Sequence, residues 1–147
     1  MRILAYFLLL AISLCACTIE PVSITYGNDA CDFCKMNIVD KQHAAEIITS
    51  KGKAFKFDAL ECMMNYMNRN EIHSEDLSFI LVCDYHQPGE FIDAKKATYI
   101  FSENIPSPMG AFLSAVGTKE TAEALIELKG GEIEDWNSLK KRYKVLD

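Results

Sequence analysis

Residues 44–68 read AAEIITSKGKAFKFDALECMMNYMN, and this stretch decides the fold class. Two apolar segments, 44–49 and 54–57, flank the polar segment 50–53, which contains Gly52. Apolar and β-branched residues on both sides of a short polar turn with glycine are typical of a β-hairpin. The first part of the stretch therefore predicts two antiparallel strands.

The second part of the stretch predicts an amphipathic helix that runs to about Asn68. Asp58 is placed to cap the helix, and Glu61 follows three residues later, as in a capping box. Because the methionines of this segment share its apolar face, core packing explains them better than a methionine-rich metal site does. The apolar residues at helical spacing are Phe57, Leu60, Met63, Met64 and Met67.

Outward from this stretch, the same order of elements occurs twice. Residues 77–83 form a nearly continuous apolar run, typical of a buried strand, and complete a first ββαβ unit at about residues 43–84. A second ββαβ unit is predicted at about residues 97–134, followed by a short terminal helix, so the fold class is α+β. Its elements are strands at 98–101 and 111–115, a helix at 119–128 stopped by Gly130 and Gly131, a strand near Ile133 and the terminal helix at 137–143.

The chain begins with a segment typical of a lipoprotein signal peptide. Its apolar run at residues 3–14 is shorter than the ~20 residues that a membrane span requires, and a small residue stands directly before Cys17. We therefore expect residues 1–16 to be cleaved, residues 17–30 to form a tether lipidated at Cys17, and residues 31–147 to form the domain. The alternatives are an uncleaved core segment and a soluble secreted protein cut nearby.

Charge and composition exclude several classes of function. The chain has 15 basic and 21 acidic side chains; removal of Arg2 with the signal peptide leaves 14 against 21, a net charge of −7. Such an acidic chain is not suited to nucleic acid. The sequence has no glycine-rich phosphate loop and no close pair of acidic residues for acid–base work on one bond, so neither nucleotide binding nor hydrolysis is indicated.

Residues 31–36 read CDFCKM and place two thiols and one thioether within six residues. Thiolate and thioether sulfur together favour Cu(I), whereas zinc sites are usually completed by further Cys, His or carboxylate ligands. The sequence therefore predicts a soft-metal site with Cys31, Cys34 and Met36 as ligands. A CxxC pair also serves as a redox pair, half of a zinc site or an ordinary disulfide, and these alternatives stay open on the motif alone.

Other potential ligands lie farther along the chain. Met109 belongs to the segment Pro-Ser-Pro-Met-Gly at 106–110, a stiff loop suited to presenting a thioether, although a methionine tucked under a turn is the alternative. His43, the histidine nearest the CxxC pair, is a possible accessory ligand. Cys62 and Cys83 fall on a predicted helix and a predicted buried strand, where we interpret them as core thiols.

Several motifs together resemble the NosL family of nitrous oxide reductase accessory lipoproteins. They are the lipobox that ends at Cys17, the CxxCxM motif at 31–36, Phe57-Asp58, Tyr85 with GEFIDAKKA at 89–97, and Ser-Pro-Met-Gly at 107–110. The resemblance implies two ββαβ units similar to the core of organomercurial lyase. It also implies Cys34, Met36 and Met109 as copper ligands, with Cys31 next. The family often has glycine where this chain has Lys35.

The resemblance implies a function as well: a copper chaperone, not an enzyme, that delivers Cu(I) to nitrous oxide reductase during maturation of its copper centres. It would be an extracytoplasmic lipoprotein, anchored in the membrane and facing the periplasm. The expected partners are nitrous oxide reductase and a copper-site maturation transporter. The alternatives are a thiol-redox or organomercurial-lyase-like enzyme that uses Cys31 and Cys34, and a lipoprotein in which these two cysteines form a structural disulfide.

Overall fold

The structure, a computed structural model, describes residues 18–147, so the predicted signal peptide and Cys17 lie outside the described residues. Seven strands and three helices occupy this part of the chain. The strands are β1 (Ala45–Thr49), β2 (Ala54–Phe57), β3 (Leu77–Asp84), β4 (Gln87–Asp93), β5 (Thr98–Phe101), β6 (Leu113–Val116) and β7 (Glu132–Glu134). The helices are α1 (Leu60–Arg69), α2 (Lys119–Lys129) and α3 (Trp136–Tyr143).

The strands form two antiparallel sheets with related topology. The first sheet has the order β2-β1-β3-β4 and the second has the order β6-β5-β7. In each unit the first strand is central, its hairpin partner lies on one side, and the strand that follows the helix lies on the other. This arrangement confirms the α+β fold class with two consecutive ββαβ units.

One strand was not predicted from the sequence. β4 extends the first sheet at its edge and pairs with β3, with a register shift between Cys83 and Asp84. Pro88 and Gly89 lie inside β4, and both residues are unfavourable in a strand interior. An edge position tolerates them because one side of the strand needs no hydrogen-bonding partner.

The predicted capping box at the start of α1 is wrong. The N-cap is Ala59, which has no side-chain cap, and the Asp58 carboxylate instead accepts a hydrogen bond from the Val39 N–H at 3.3 Å. The Glu61 side chain turns away from the helix end and accepts a hydrogen bond from the Ser107 hydroxyl at 2.6 Å. Both carboxylates therefore bond to residues distant in sequence and do not cap the helix in the way that local spacing had suggested.

Most of the core lies around the first unit. Met63, Met64 and Met67 are fully buried in the larger apolar cluster, as their helical spacing predicts. A smaller cluster lies beneath α2 in the second unit, and its buried members are Ile100, Ile105, Val116 and Ala122. Strand β6 begins two residues later than predicted because Phe112 has a φ of 57°, outside the extended region.

Residues 22–26, which the sequence assigns to the tether, lie on the first sheet. The Val22 N–H donates to the Glu46 carboxylate at 3.2 Å, and the Lys56 ammonium donates to the Ser23 carbonyl at 2.7 Å. Burial raises the pKa of the Glu46 carboxyl to about 7. Among residues 18–147, no helix has the length and apolar character needed to cross a membrane.

Candidate metal centre

Cys31 and Cys34 lie in a narrow loop at residues 27–38, here called the cysteine loop. Three backbone hydrogen bonds of 2.8 Å close it: Gly27 N–H to Ile38 O, Ile38 N–H to Asp29 O, and Cys31 N–H to Met36 O. The tip turns sharply because the residue-35 N–H donates to the Cys31 carbonyl at 3.0 Å. These hydrogen bonds therefore fix the backbone conformation of the loop without the help of a bound ion.

The residue between Cys34 and Met36 has a left-handed backbone. Lys35 has a φ of 68°, a conformation that glycine adopts freely and that costs a residue with a Cβ ~1 kcal/mol. This geometry explains why glycine suits the position and why the lysine still preserves the turn. The Lys35 ammonium also donates to the Asp32 carbonyl at 2.6 Å, which helps to offset the strain.

The cysteine loop is fastened to the first unit on two sides. Asp32 N–H donates to the Lys56 carbonyl at 2.8 Å, and Lys56 N–H donates back to the Asp32 carboxylate at 2.8 Å. On the other side, the Arg69 guanidinium at the end of α1 lies 4.6 Å from the centre of the Phe33 ring. The loop is thus held between strand β2 and helix α1.

This docking brings a third thiol to the first two. Cys62 lies in the first turn of α1, and the sulfur atoms of Cys31, Cys34 and Cys62 all lie within 4.8 Å of one another. Cys31 and Cys62 are buried, whereas Cys34 is half-buried. These three residues are called the thiol cluster. In the described part of the chain, it is the one group of three or more Cys, His, Asp and Glu side chains close enough together to hold a metal ion.

The thiol cluster concentrates negative charge on one sulfur. A hydrogen bond from the Cys62 thiol lowers the pKa of Cys31 to about 5, against the opposing effect of burial. Backbone N–H groups of Asp58, Cys34 and Phe33 also stabilise the Cys31 thiolate. The hydrogen bond to Cys31 raises the pKa of Cys62, and burial raises that of Cys34. These shifts make Cys31 the member of the thiol cluster that loses its proton most readily.

The two predicted thioether ligands, Met36 and Met109, are partly exposed to solvent. Met36 is 47% exposed. Met109 is 42% exposed and belongs to the long connection between β5 and β6 at residues 102–112, here called the Met109 loop.

A buried carboxylate fastens the Met109 loop to the start of α1. Glu61 Oε1 accepts hydrogen bonds from the Ser107 hydroxyl at 2.6 Å and the Ala111 N–H at 3.4 Å. The Ser107 oxygen also accepts a hydrogen bond from the Phe112 N–H at 3.0 Å. Because Glu61 directly precedes Cys62, the loop is anchored one residue from the thiol cluster.

His43 and Cys83 have other partners. The two ring nitrogens of His43 contact the Asp40 carboxylate at 2.9 Å and the Ser114 hydroxyl at 3.1 Å, and the side chain is buried. Neither nitrogen is free for a metal ion in this arrangement. The Cys83 sulfur lies 3.4 Å from the Tyr26 hydroxyl. All four cysteines of residues 18–147 are free thiols.

Sequence reasoning assigned Cys62 to the core and did not place it in the site. It is separated from Cys34 by 27 residues and lies among the apolar residues of α1, so local spacing gave no reason to group them. One signal was present: a thiol in the first turn of a helix, where N–H groups and the helix dipole favour a thiolate.

Fold and site together define an α+β protein with a candidate three-thiol site for a soft metal ion. The chain belongs to the NosL family, whose model matches residues 21–144. Membership makes it an accessory protein rather than an enzyme, so the enzyme alternatives raised by the CxxC motif do not hold.

A solved structure supports the fold. The chain is similar to the crystal structure of the copper chaperone NosL from Shewanella denitrificans, at 21% sequence identity and a TM-score of 0.70, over 82% of this chain and 96% of that one. At this identity the likeness establishes the fold. No match was found among the curated proteins.

Proposed function

We propose that this protein is an extracytoplasmic carrier of Cu(I), with Cys31, Cys34, Met36 and Met109 as the copper ligands. One observation carries the proposal: three free thiols lie within 4.8 Å of one another, and two of them belong to a preformed loop that also presents a half-exposed thioether. Thiolate and thioether sulfur are the ligands that Cu(I) prefers. The site suits Cu(I) better than Zn²⁺, because structural zinc sites usually have four Cys or His ligands and this cluster of the described residues has three.

Exposure of the site supports carriage rather than permanent storage. Cys34 is half-buried and both thioethers are more than two-fifths exposed, so a partner's ligand can approach the ion from solvent. Replacement of one sulfur at a time lets a tightly bound ion move between proteins without being released. The fastened cysteine loop keeps the ligands in place while the exchange occurs.

Nitrous oxide reductase is the proposed recipient, with a copper-site maturation transporter as a further partner. Family membership supports this role. The sequence resembles the NosL family of nitrous oxide reductase accessory lipoproteins. Anchorage through a lipidated Cys17 would keep the carrier at the membrane facing the periplasm. Nitrous oxide reductase isolated from cells with Cys17→Ala or Cys34→Ser should then contain less copper; wild-type copper content in both strains would contradict the proposed delivery.

Anaerobic titration of the reduced protein with Cu(I), against a chromophoric Cu(I) chelator, tests the binding step. Wild type should withdraw one equivalent of Cu(I) from the chelator, and Cys34→Ser should lose most of this capacity. Cys83→Ser is the matched control, because Cys83 is a buried free thiol outside the thiol cluster. Equal affinity in wild type and Cys34→Ser would overturn the site, and failure of wild type to compete would overturn copper carriage.

A further inference from the structure

We propose that copper occupies two positions in this protein: a buried one held by Cys31, Cys34 and Cys62, and an exposed one held by Cys34, Met36 and Met109. Cys34 is the ligand common to both. The buried position is where the ion rests, and the exposed position is where it is exchanged. This inference rests on the proposed Cu(I) carriage and adds Cys62 as a ligand.

The spacing of the three sulfurs fits one ion. Metal–thiolate bonds are ~2.3 Å long, so three sulfurs around an ion in one plane are roughly 4 Å apart. The sulfurs of the thiol cluster already lie within 4.8 Å of one another, so small side-chain rotations suffice for binding. Cys31 and Cys62 are buried, which protects the ion from solvent and from oxidants.

The surroundings of the buried position favour negatively charged sulfur. The N-cap of α1 is Ala59, whose side chain cannot accept a hydrogen bond from the N–H groups of the first turn. Cys62 lies in this turn, at the positive end of the helix dipole. The dipole of α1 therefore offsets part of the negative charge that the sulfur ligands carry when they hold a cation.

Burial separates the two positions. Met36 and Met109 are about half exposed, whereas Cys31 and Cys62 are almost inaccessible, and Cys34 is intermediate. The exposed position offers one thiolate and two neutral thioethers, a weaker set of ligands for a cation than three thiol sulfurs. An ion that moves outward through Cys34 thus enters a site from which it leaves more easily.

Three variants separate the two positions: Cys62→Ala, Met109→Leu and the control Cys83→Ala. Each is loaded anaerobically with one Cu(I); affinity is measured by chelator competition, sulfur coordination by X-ray absorption, and transfer by stopped-flow mixing with excess chelator. We expect three short Cu–S bonds in wild type. Cys62→Ala should lower affinity roughly 10- to 100-fold and lose one short bond, since disturbing even the groups around metal ligands costs this much.

Met109→Leu should lower Cu(I) affinity much less than Cys62→Ala does, because the ion rests at the buried position, but it should slow transfer to the chelator. Cys83→Ala should match wild type in all three measurements. Circular dichroism confirms folding of each variant, and the nearly isosteric Cys62→Ser replaces Cys62→Ala if the cavity destabilises the latter.

Two results would overturn the proposal. Unchanged affinity and coordination in Cys62→Ala or Cys62→Ser would remove the buried position. Equal losses of affinity in the Cys62 and Met109 variants would show a single site that uses both residues at once. Failure of wild type itself to bind Cu(I) would instead overturn the proposed function, so the two failures are distinguishable.

Discussion

The two ββαβ units share one strand order but differ in how they use their helices. α1 buries six residues, from Leu60 to Met67, and begins at the thiol cluster, whereas α2 buries only Ala122. α1 packs against β1 and β2 of its own unit and also against β6 and α3, whereas α2 packs mainly against the three strands of the second sheet. The two units have the same topology. The site therefore forms where the second unit and α3 pack against the first unit.

The equivalent hairpin connections show the same contrast. β1 and β2 are joined by a tight turn at residues 50–53, with Gly52 at a φ of 79°. β5 and β6 are joined by the Met109 loop, which is long enough to reach Glu61 at the start of α1. A lengthened loop in one unit thus contributes a potential ligand beside the helix of the other.

The largest effect on the free energy of unfolding should come from a core substitution in α1, compared with an exposed substitution in α2. Met63→Ala in α1 should lower the free energy of unfolding by about 2–5 kcal/mol, because it leaves a cavity in the core. Leu128→Ala in α2 should change it by less than ~0.5 kcal/mol, since Leu128 is 81% exposed. Urea denaturation measures both; comparable losses would contradict the difference in burial.

The central strand of the first sheet carries a buried carboxylate, Glu46, whereas the central strand of the second has none. Burial raises the Glu46 pKa from 4.5 to about 7, so the folded protein keeps a proton that the unfolded chain releases. The free energy of unfolding should therefore fall as pH rises from about 4.5 through 7, by about 3 kcal/mol in total.

Glu46→Gln should remove this decrease and keep an acceptor for the Val22 N–H. Urea denaturation of wild type and variant at pH 5 and pH 8 measures the change, with the exposed Glu75→Gln as the matched control. An equal pH dependence in wild type and Glu46→Gln would show that another group is responsible.

One short hydrogen bond fastens the Met109 loop of the second unit to the start of α1 in the first unit. Ser107→Ala removes the hydroxyl that donates to Glu61 at 2.6 Å, so we expect a loss of about 1–3 kcal/mol in the free energy of unfolding. Hydrogen exchange of the Ala111 and Phe112 amides should increase, because both bond to this pair. Ser78→Ala, at an exposed serine of β3, is the control; equal exchange in both variants would contradict the role of Ser107.

The smallest effect on the free energy of unfolding should come from removing the N-cap side chain of α2. Thr118 accepts a hydrogen bond from the Thr121 N–H at the start of α2, so Thr118→Ala should cost ~1 kcal/mol. Its Cu(I) affinity should equal that of wild type, because α2 takes no part in the thiol cluster. A loss of Cu(I) affinity in this variant would couple the second helix to the site.

Much of the fold could be predicted because burial in this chain follows local periodicity. The hairpin of the first unit, the apolar face of α1 and the strand before Asp84 all have strong patterns over short distances. β4 was missed because an edge strand with Pro88 and Gly89 lacks such a pattern. The capping box was wrong because Val39 and Ser107, distant in sequence, compete for the two carboxylates.

By itself, the sequence determined the α+β class, the ββαβ repeat and a CxxCxM segment of soft ligands, because these depend on neighbouring residues and on periods of two and 3.6. Only the tertiary structure decided that Cys62 joins Cys31 and Cys34, and that Glu61 anchors the Met109 loop. These contacts join residues 28 to 46 positions apart, and the packing of the whole chain brings them together.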